Sequence, residues 1–273
     1  MKGLFKKDYN ALSPQEIKGI DDARRFEMEK ENSGFTMKDL DKYFELLGEA
    51  GQHYRSFFPN QYLALNFDKH PCLGIGKFDK FKALLNETST NEEAILTFIA
   101  STESYFILES LFYYYDFGHH DSYLFRELPL YPDFVVDFLL VGKNSGGYEF
   151  IFIEFEHPNL KSTLKDGSLA TSFRKGLRQI EDWDHWIDKN YNQLFSLFQK
   201  VKNQRLSLPD EFHILDKSRI HFLVIAGRRQ DFTEKTYRLK RKSVKNIKLL
   251  HYDNLIDCIH SYLFEQYKVD QRC

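Results

Sequence analysis

Acidic side chains interrupt two strongly apolar segments of the chain, with Asp133 and Asp137 in the first and Glu154 and Glu156 in the second. Burying a carboxylate is costly unless it is paired with a cation or bound to a metal. Mg²⁺ prefers carboxylate and carbonyl oxygens, and it keeps bound waters that can be activated to attack a phosphodiester. These residue types therefore predict a divalent-metal site formed by Asp133, Glu154 and Glu156.

A β-hairpin over residues 130–158 must position these acids. Its two apolar segments flank the sequence Asn-Ser-Gly-Gly at residues 144–147. Glycine supplies the positive φ angles that tight turns need, so this pattern predicts strand, turn and strand. An acid on each strand of one hairpin can reach a common metal ion from the same side.

Side chains alternate along a strand, so Asp133 and Asp137 are predicted to share one face of the first strand. Glu154 and Glu156 share a face of the second strand for the same reason. Pro132 and the place of Asp133 at the start of the strand favour Asp133 as the first ligand, with Asp137 as the competing ligand. The residues alone also fit a plainer interpretation, in which exposed acids line the polar face of an edge hairpin or belong to a structural ion network.

A later helical segment carries the second group of candidate residues. Gln179, Trp183 and Trp186 recur at i, i+4 and i+7, which places them on one helix face. A packing stripe explains the tryptophans but not the glutamine, which could orient a water or a metal ligand in an acidic site. Basic residues of the same helix could approach phosphates, although a solvated basic face is the commoner outcome: Arg174, Lys175 and Arg178.

The order of elements indicates a mixed α/β protein. Residues 1–85 are predicted to be mostly helical, with an irregular connection over residues 52–82 because prolines and glycines interrupt it. After residue 90 the pattern is helix, hairpin, helix, strand, strand, helix, which is typical of a mixed α/β core.

Composition sets the broad class of protein. Charged residues make up 29% of the 273 residues, and mean hydropathy is −0.51, as in globular proteins. The sequence has no apolar run of about 18 residues, so no transmembrane helix is predicted. The first ten residues lack a signal-peptide pattern. Three scattered cysteines, Cys72, Cys258 and Cys273, indicate reduced thiols and a cytoplasmic protein. The net charge of −2 conceals a basic segment over residues 228–248, so nucleic acid is not excluded as a partner.

Several short motifs occur in a distinctive order. Pro-Asp-Phe at residues 132–134 is followed by Ile-Glu-Phe-Glu-His-Pro at 153–158 and by Gln-Ile-Glu-Asp-Trp at 179–183. Ala-Gly-Arg-Arg at 226–229 and Leu-His-Tyr-Asp-Asn-Leu at 250–255 come later. Together they resemble the Shedu anti-phage defence nucleases, a branch of the PD-(D/E)xK superfamily, over residues 90–262.

The resemblance implies a restriction-endonuclease-like (PD-(D/E)xK) fold with a mixed-sheet core over residues 86–273 and a helical N-terminal region over residues 1–85, whose role in regulation or assembly stays open. It implies an Mg²⁺- or Mn²⁺-dependent endonuclease that acts on DNA. The protein is expected to form a homo-oligomer and not to associate with a membrane. Asp133 and Glu154 match the metal-binding acids, Gln179 matches a glutamine of the helix motif, and Glu93 matches a further acid.

One residue departs from the superfamily pattern. Glu156 stands where the wider superfamily has lysine, which would stabilise the attacking hydroxide or the developing phosphate charge. Glutamate can instead bind metal or act as a base, and Lys161, Lys165 or Arg178 could supply the positive charge. Two alternatives stay open: a catalytically silent nucleic-acid-binding module on the same fold, and a regulatory or assembly protein that acts through its helical N-terminus.

Overall fold

The structure is a computed structural model that describes residues 3–30, 34–63, 71–242 and 246–266. Within these ranges, five helices precede the sheet: α1 (Pro14–Lys30), α2 (Met37–Arg55), α3 (Pro71–Asn86), α4 (Glu92–Ser101) and α5 (Phe106–Glu109), the last continued by a 3₁₀ turn at Ser110–Tyr114.

Polar side chains fix where several of these helices begin. Thr36 accepts a hydrogen bond from the Asp39 backbone N–H, and the Asp39 carboxylate accepts one from the Thr36 N–H, which forms a capping box at α2. Asn91 accepts from Ala94 N at 2.9 Å and starts α4 in the same way. This cap sets the orientation of the first turn of α4.

Five strands form a mixed sheet in the order β1-β2-β3-β4-β5. Strands β1, β2 and β3 are antiparallel neighbours, whereas β4 and β5 run parallel to β3. Their bounds are β1 (Ser122–Leu130), β2 (Phe134–Asn144), β3 (Gly147–Phe155), β4 (Ile220–Ile225) and β5 (Ile247–Leu250). The predicted hairpin is confirmed, with Asn144 paired to Gly147 across its turn.

The helices that follow the hairpin are α6 (Thr171–Val201), α7 (Glu234–Lys242) and α8 (Tyr252–Ser261), and a π-helical turn follows at Tyr262–Gln266. Short 3₁₀ turns lie at Asp210–Phe212, Lys217–Arg219 and Arg229–Asp231. The 31 residues of α6 include one non-helical position, Asn190, where the helix kinks.

The sheet separates two buried apolar layers. One face packs against α6 through side chains such as Trp183, Ile187 and Phe198. The opposite face packs against α3, α4, α5 and α8, with Phe81 and Leu255 among the buried side chains. The architecture is therefore three layers, helix, sheet and helices, as the mixed α/β prediction required.

Side chains from the N-terminal region belong to the same core as those of α8. Leu4, Phe78, Phe81 and Leu85 are buried in the layer that also contains Tyr252. The predicted irregular connection was wrong in part, because α3 begins at Pro71 and contains Gly74 and Gly76. The domain boundary at residue 85 stays a prediction.

Near one residue pair, the side chains of β1 and β2 depart from strict alternation between the two faces of the sheet. Tyr123 and Phe125 pack on the α6 side, and so do Leu128 and Leu130, although strict alternation would send these two to the other side. The change falls at Glu127, which has a positive φ of 49°. Its place in the ladder is opposite Asp137, so the irregularity lies directly beside the acids.

Within the described residues, no single helix has both the length and the apolar character to cross a membrane. Two consecutive segments, Glu92–Ser101 and Phe106–Tyr114, reach the required length and composition together, but the chain bends by 111° between them.

Candidate metal centre

The antiparallel strands β2 and β3 separate next to the acidic residues. Their paired residues end at Phe138 and Ile153, one position before Asp137 and Glu154 would face each other. Beyond that point a side chain, not the backbone, accepts the hydrogen bond between the strands: Asp137 Oδ2 accepts from Phe155 N at 2.8 Å. The gap between the strands gives side chains room to meet in the plane of the sheet.

Three carboxylates converge in this gap. Each of Glu92, Asp137 and Glu154 offers an oxygen, and these oxygens lie within 4.8 Å of one another. Glu92 comes from the first turn of α4, Asp137 from β2 and Glu154 from β3. Glu154 is 2% exposed, and its Oε2 has no hydrogen-bond partner among the described residues. This buried acceptor without a donor is the clearest indication that the gap between the strands suits a cation.

The electrostatics of the cluster point the same way. Burial raises the pKa of Glu154, and the neighbouring carboxylates of Asp137, Glu156 and Glu92 raise it further. Burial also raises the pKa of Asp137, against the lowering effect of its hydrogen bond from Phe155. Like charges in a low-dielectric site cannot all ionise without compensation. A divalent cation would supply that compensation, and carboxylate oxygens are suitable ligands for Mg²⁺ or Mn²⁺.

A lysine from α6 lies beside the acids. Lys175 Nζ is 3.1 Å from Glu156 Oε1 and 3.9 Å from Glu92 Oε2. Burial lowers the pKa of Lys175, but its hydrogen bond to Glu156 and the charges of Glu92 and Glu154 outweigh burial, so the net shift is upward. Lys175 therefore stays protonated and carries a fixed positive charge at the edge of the cluster.

Close packing holds α6 and Glu156 in place. A Cβ on Gly176 would lie 2.6 Å from Val224 Cγ1 and 3.4 Å from Glu156 Cγ, so only glycine allows α6 to approach the sheet this closely. On the other side of the sheet, the buried Tyr252 hydroxyl donates to the Glu156 backbone carbonyl at 2.8 Å. Both contacts fix the position of Glu156 relative to the other acids.

The structure places one predicted acid, Asp133, away from the cluster. Asp133 is exposed in the turn before β2 and is not one of the three acids that meet among the described residues. Strand pairing begins at Phe134, so Asp133 sits at the far edge of the hairpin, outside the gap. Asp137, the competing ligand of the sequence prediction, contributes the carboxylate next to Glu154.

The other predicted residues occupy the same region to different degrees. Glu154 lies in the cluster, whereas the buried Glu156 faces Lys175. Gln179 is half-buried one helical turn after Lys175, and its Oε1 is buried without a hydrogen-bond partner among the described residues. Glu93 is exposed, and its neighbour Glu92 reaches the cluster instead.

Sequence reasoning did not single out Glu92, and it considered Lys175 only as a contact for phosphates, not as a neighbour of the acids. Both were visible as charged residues, Glu92 directly after the N-cap Asn91 and Lys175 one turn before Gln179. The i, i+4 spacing of Lys175 and Gln179 could have placed the lysine on the site face of α6.

Comparison with known proteins supports a family assignment. A family model described as "Shedu protein SduA, C-terminal" matches residues 89–256, which is more than half of the chain. The chain belongs to the Shedu family. The resemblance seen in the sequence is thereby confirmed, and it covers every residue of the acidic cluster in this Shedu chain. A comparison with curated proteins finds no significant match.

Proposed function

We propose that this Shedu chain is a metal-dependent endonuclease that hydrolyses phosphodiester bonds of DNA in anti-phage defence. The observation that carries the proposal is the meeting of Glu92, Asp137 and Glu154 within 4.8 Å, with Lys175 beside them. Membership of the Shedu family supports the setting in defence. The restriction-endonuclease-like fold is part of the proposal and is supported by acids that lie where the central strands separate.

The residues present fit a divalent cation. Glu154 Oε2 is buried and accepts no hydrogen bond from the described residues, and Asp137 uses its Oδ2 for Phe155 N, which leaves Oδ1 for a ligand. Bound there, Mg²⁺ or Mn²⁺ would polarise the phosphate and lower the pKa of a coordinated water. Glu92, Asp137 and Glu154 would hold the cation, and Gln179 would orient a water or a ligand at the same face.

Lys175 would take the part that lysine of the strand motif has in the wider superfamily. Glu156 fills that motif position, and the ammonium group arrives from α6 at 3.1 Å from it. A protonated amine beside the acidic cluster can stabilise the developing charge of the phosphate. The exposed Arg174 and Arg178 on the same helix are placed to contact DNA phosphates.

The test is cleavage of supercoiled and linear DNA by the full chain with Mg²⁺, with Mn²⁺ and with EDTA. We expect cutting only with a divalent cation and expect Asp137→Asn and Glu154→Gln to reduce it at least 100-fold. Cutting that persists in EDTA, or in both variants, would contradict the proposal.

Two neighbouring acids provide matched controls. Asp133→Asn removes an exposed acid four residues before Asp137, and Glu93→Gln removes an exposed acid next to Glu92. Both should cut like the wild type, whereas Glu92→Gln should behave like Asp137→Asn. DNA binding without cutting in the wild type under every cation would favour the silent nucleic-acid-binding module.

Two parts of the proposal concern assembly and partners. DNA as the substrate is supported by the family and by the exposed Arg174 and Arg178 of α6, and a filter-binding titration measures DNA binding. The homo-oligomer predicted from the sequence stays a prediction, and light scattering of the purified chain measures its mass.

A further inference from the structure

A second candidate site lies at the opposite end of the sheet from the acids. A cavity of about 260 Å³ opens near the start of β3, on the face away from α6. Its walls are mainly aromatic, with polar groups at its edges: Phe112, Tyr113, Tyr115, Phe117, Glu109 and His119. The acidic cluster is at the other end of β3, so the two sites share no residue.

Two polar atoms of the cavity residues have no hydrogen-bond partner within the described ranges: Glu109 Oε1 and the Tyr115 hydroxyl. Glu109 is 5% exposed, and its other oxygen accepts from the Tyr262 hydroxyl at 2.8 Å. Ser122 is also near Glu109, but its Oγ donates to the Leu63 carbonyl. Leaving a buried polar atom unsatisfied costs about 1–3 kcal/mol, and a ligand in this cavity would offer a partner to both atoms.

The aromatic wall is held by packing from behind. The rings of Phe117 and His221 are stacked with centroids 5.3 Å apart, and Tyr115 and Phe117 lie 5.2 Å apart. Gly118 has a φ of +99°, and a Cβ there would lie 2.6 Å from the Phe112 ring. The rings are therefore fixed surfaces on which a flat ligand can stack.

Burial favours the neutral form of Glu109 in the absence of a ligand. Burial raises its pKa from 4.5 to about 8. A protonated carboxyl both donates and accepts hydrogen bonds, which makes it suited to the edge of a nitrogen heterocycle. A cavity smaller than the about 300–1,000 Å³ typical of drug-sized sites suits one ring system.

We propose that this cavity binds a nucleobase, packed against the rings of Tyr115 and Phe117, whose planes are tilted by 49°, and hydrogen-bonded at its edge by Glu109 and the Tyr115 hydroxyl. Every base has a flat π-face for aromatic stacking and polar edge atoms for these two groups. Lys248 Nζ, 4.7 Å from the centre of the Tyr115 ring, is the nearby cation for an attached phosphate. The base comes either from a free nucleotide or from an unstacked position of a single strand.

The test uses the full chain with four nucleoside monophosphates and a short single-stranded oligonucleotide, followed by calorimetric titration. Wild type should bind at least one of these ligands. Tyr115→Phe removes one hydroxyl and should weaken binding about tenfold, which corresponds to about 1.4 kcal/mol. Glu109→Met should weaken it at least as much, whereas Glu109→Gln keeps a neutral donor and acceptor and should bind within a few-fold of wild type.

Controls separate this site from the acidic cluster and from misfolding. Glu154→Gln should bind the same ligand as tightly as wild type, and circular dichroism should show each variant folded. Binding of mononucleotides identifies a free nucleotide as the source, and binding of the oligonucleotide alone identifies an unstacked base. No binding of any probe, or equal binding by wild type, Tyr115→Phe and Glu109→Met, would overturn the proposal.

Discussion

At the scale of single residues, Lys175 has the least predictable role in the candidate site. From the sequence it was one of three basic residues that could meet phosphates on a helix. In the structure its ammonium group lies between Glu156 and Glu92, at 3.1 Å and 3.9 Å. Under the proposed function, α6 would supply the positive charge that a strand lysine supplies in the PD-(D/E)xK superfamily.

Replacing Lys175 by methionine should reduce DNA cleavage at saturating Mg²⁺ by about 10²–10³-fold, because one charge-stabilising donor would be lost. Methionine has a similar length and keeps the packing of the stem. Single-turnover cleavage rates measure the effect.

The matched control is Lys175→Arg, which keeps the positive charge and should retain most of the rate. Equal rates in wild type and Lys175→Met would show that the ammonium group has no part in the reaction.

Glu109 gives a prediction about stability and pH. Its pKa is raised by burial from 4.5 in the unfolded reference to about 8 in the folded chain. A raised folded-state pKa contributes stability that is full below pH 4.5 and is lost as the pH rises toward 8. Wild type should therefore lose roughly 1 kcal/mol per pH unit relative to Glu109→Gln over this interval.

Urea unfolding of both proteins at pH 5.5, 6.5 and 7.5, without nucleotide, measures the difference. Glutamine does not titrate, so subtraction cancels every other titrating group. A constant difference across the three pH values would show that Glu109 does not change its protonation there.

At the scale of elements, the hairpin and the long amphipathic helix could be predicted, because their signals are local. Two adjacent glycines mark the turn at residues 146–147, and the apolar spacing of α6 is helical throughout. Asp137 was ranked behind Asp133 because Pro132 and the place of Asp133 at the start of the strand favoured Asp133. The change of face beside Glu127 depends on the pairing of two strands, and a single sequence does not show it.

Helix α3 was missed for a different reason. Pro71 at its first position and glycines at 74 and 76 resemble a loop, since each glycine costs about 1 kcal/mol in a helix. Burial of Phe78, Phe81 and Leu85 in the core against α8 outweighs that cost. Tertiary packing of this kind overrides local propensity.

The approach of α6 to the sheet can be tested at Gly176. Gly176→Ala would place a methyl group 2.6 Å from Val224 Cγ1 and should destabilise the fold by about 1–3 kcal/mol. Urea denaturation measures the change. Val224→Ala opens the same space, so the double variant should recover part of the loss; simple additivity of the two single effects would contradict a direct clash.

At the scale of the whole molecule, one arginine joins three elements. The Arg228 guanidinium donates to Asp253 of α8, with Nη2 to Oδ1 at 2.9 Å, and its Nη1 donates to the Leu85 carbonyl of α3 at 2.8 Å. Arg228 itself follows β4. Burial raises the pKa of Asp253, but its hydrogen bonds from Arg228 and from the Arg229 backbone outweigh burial, so the net shift is downward. A residue of the basic segment thus ties the N-terminal helices to the sheet.

Arg228→Met should cost about 1–3 kcal/mol of folding stability, because it removes the guanidinium donors from Asp253 and from the Leu85 carbonyl. Its neighbour Arg229 pairs with Asp257 on the surface, where both side chains are more than half exposed. Arg229→Met should therefore change stability by less than about 0.5 kcal/mol. Thermal unfolding of the two variants distinguishes a structural role from a general effect of lost basic charge.

The long α6 also has a mechanical consequence. It is held at two distant positions: near its start Gly176 packs against Val224, and near its end Phe198 packs among Phe58, Phe150 and Phe212. The non-helical position at Asn190 lies between these two contacts. A helix held at both ends cannot slide along its axis, so the aromatic contacts near the C-terminal end of α6 help to set how far the Lys175 ammonium reaches over the acids.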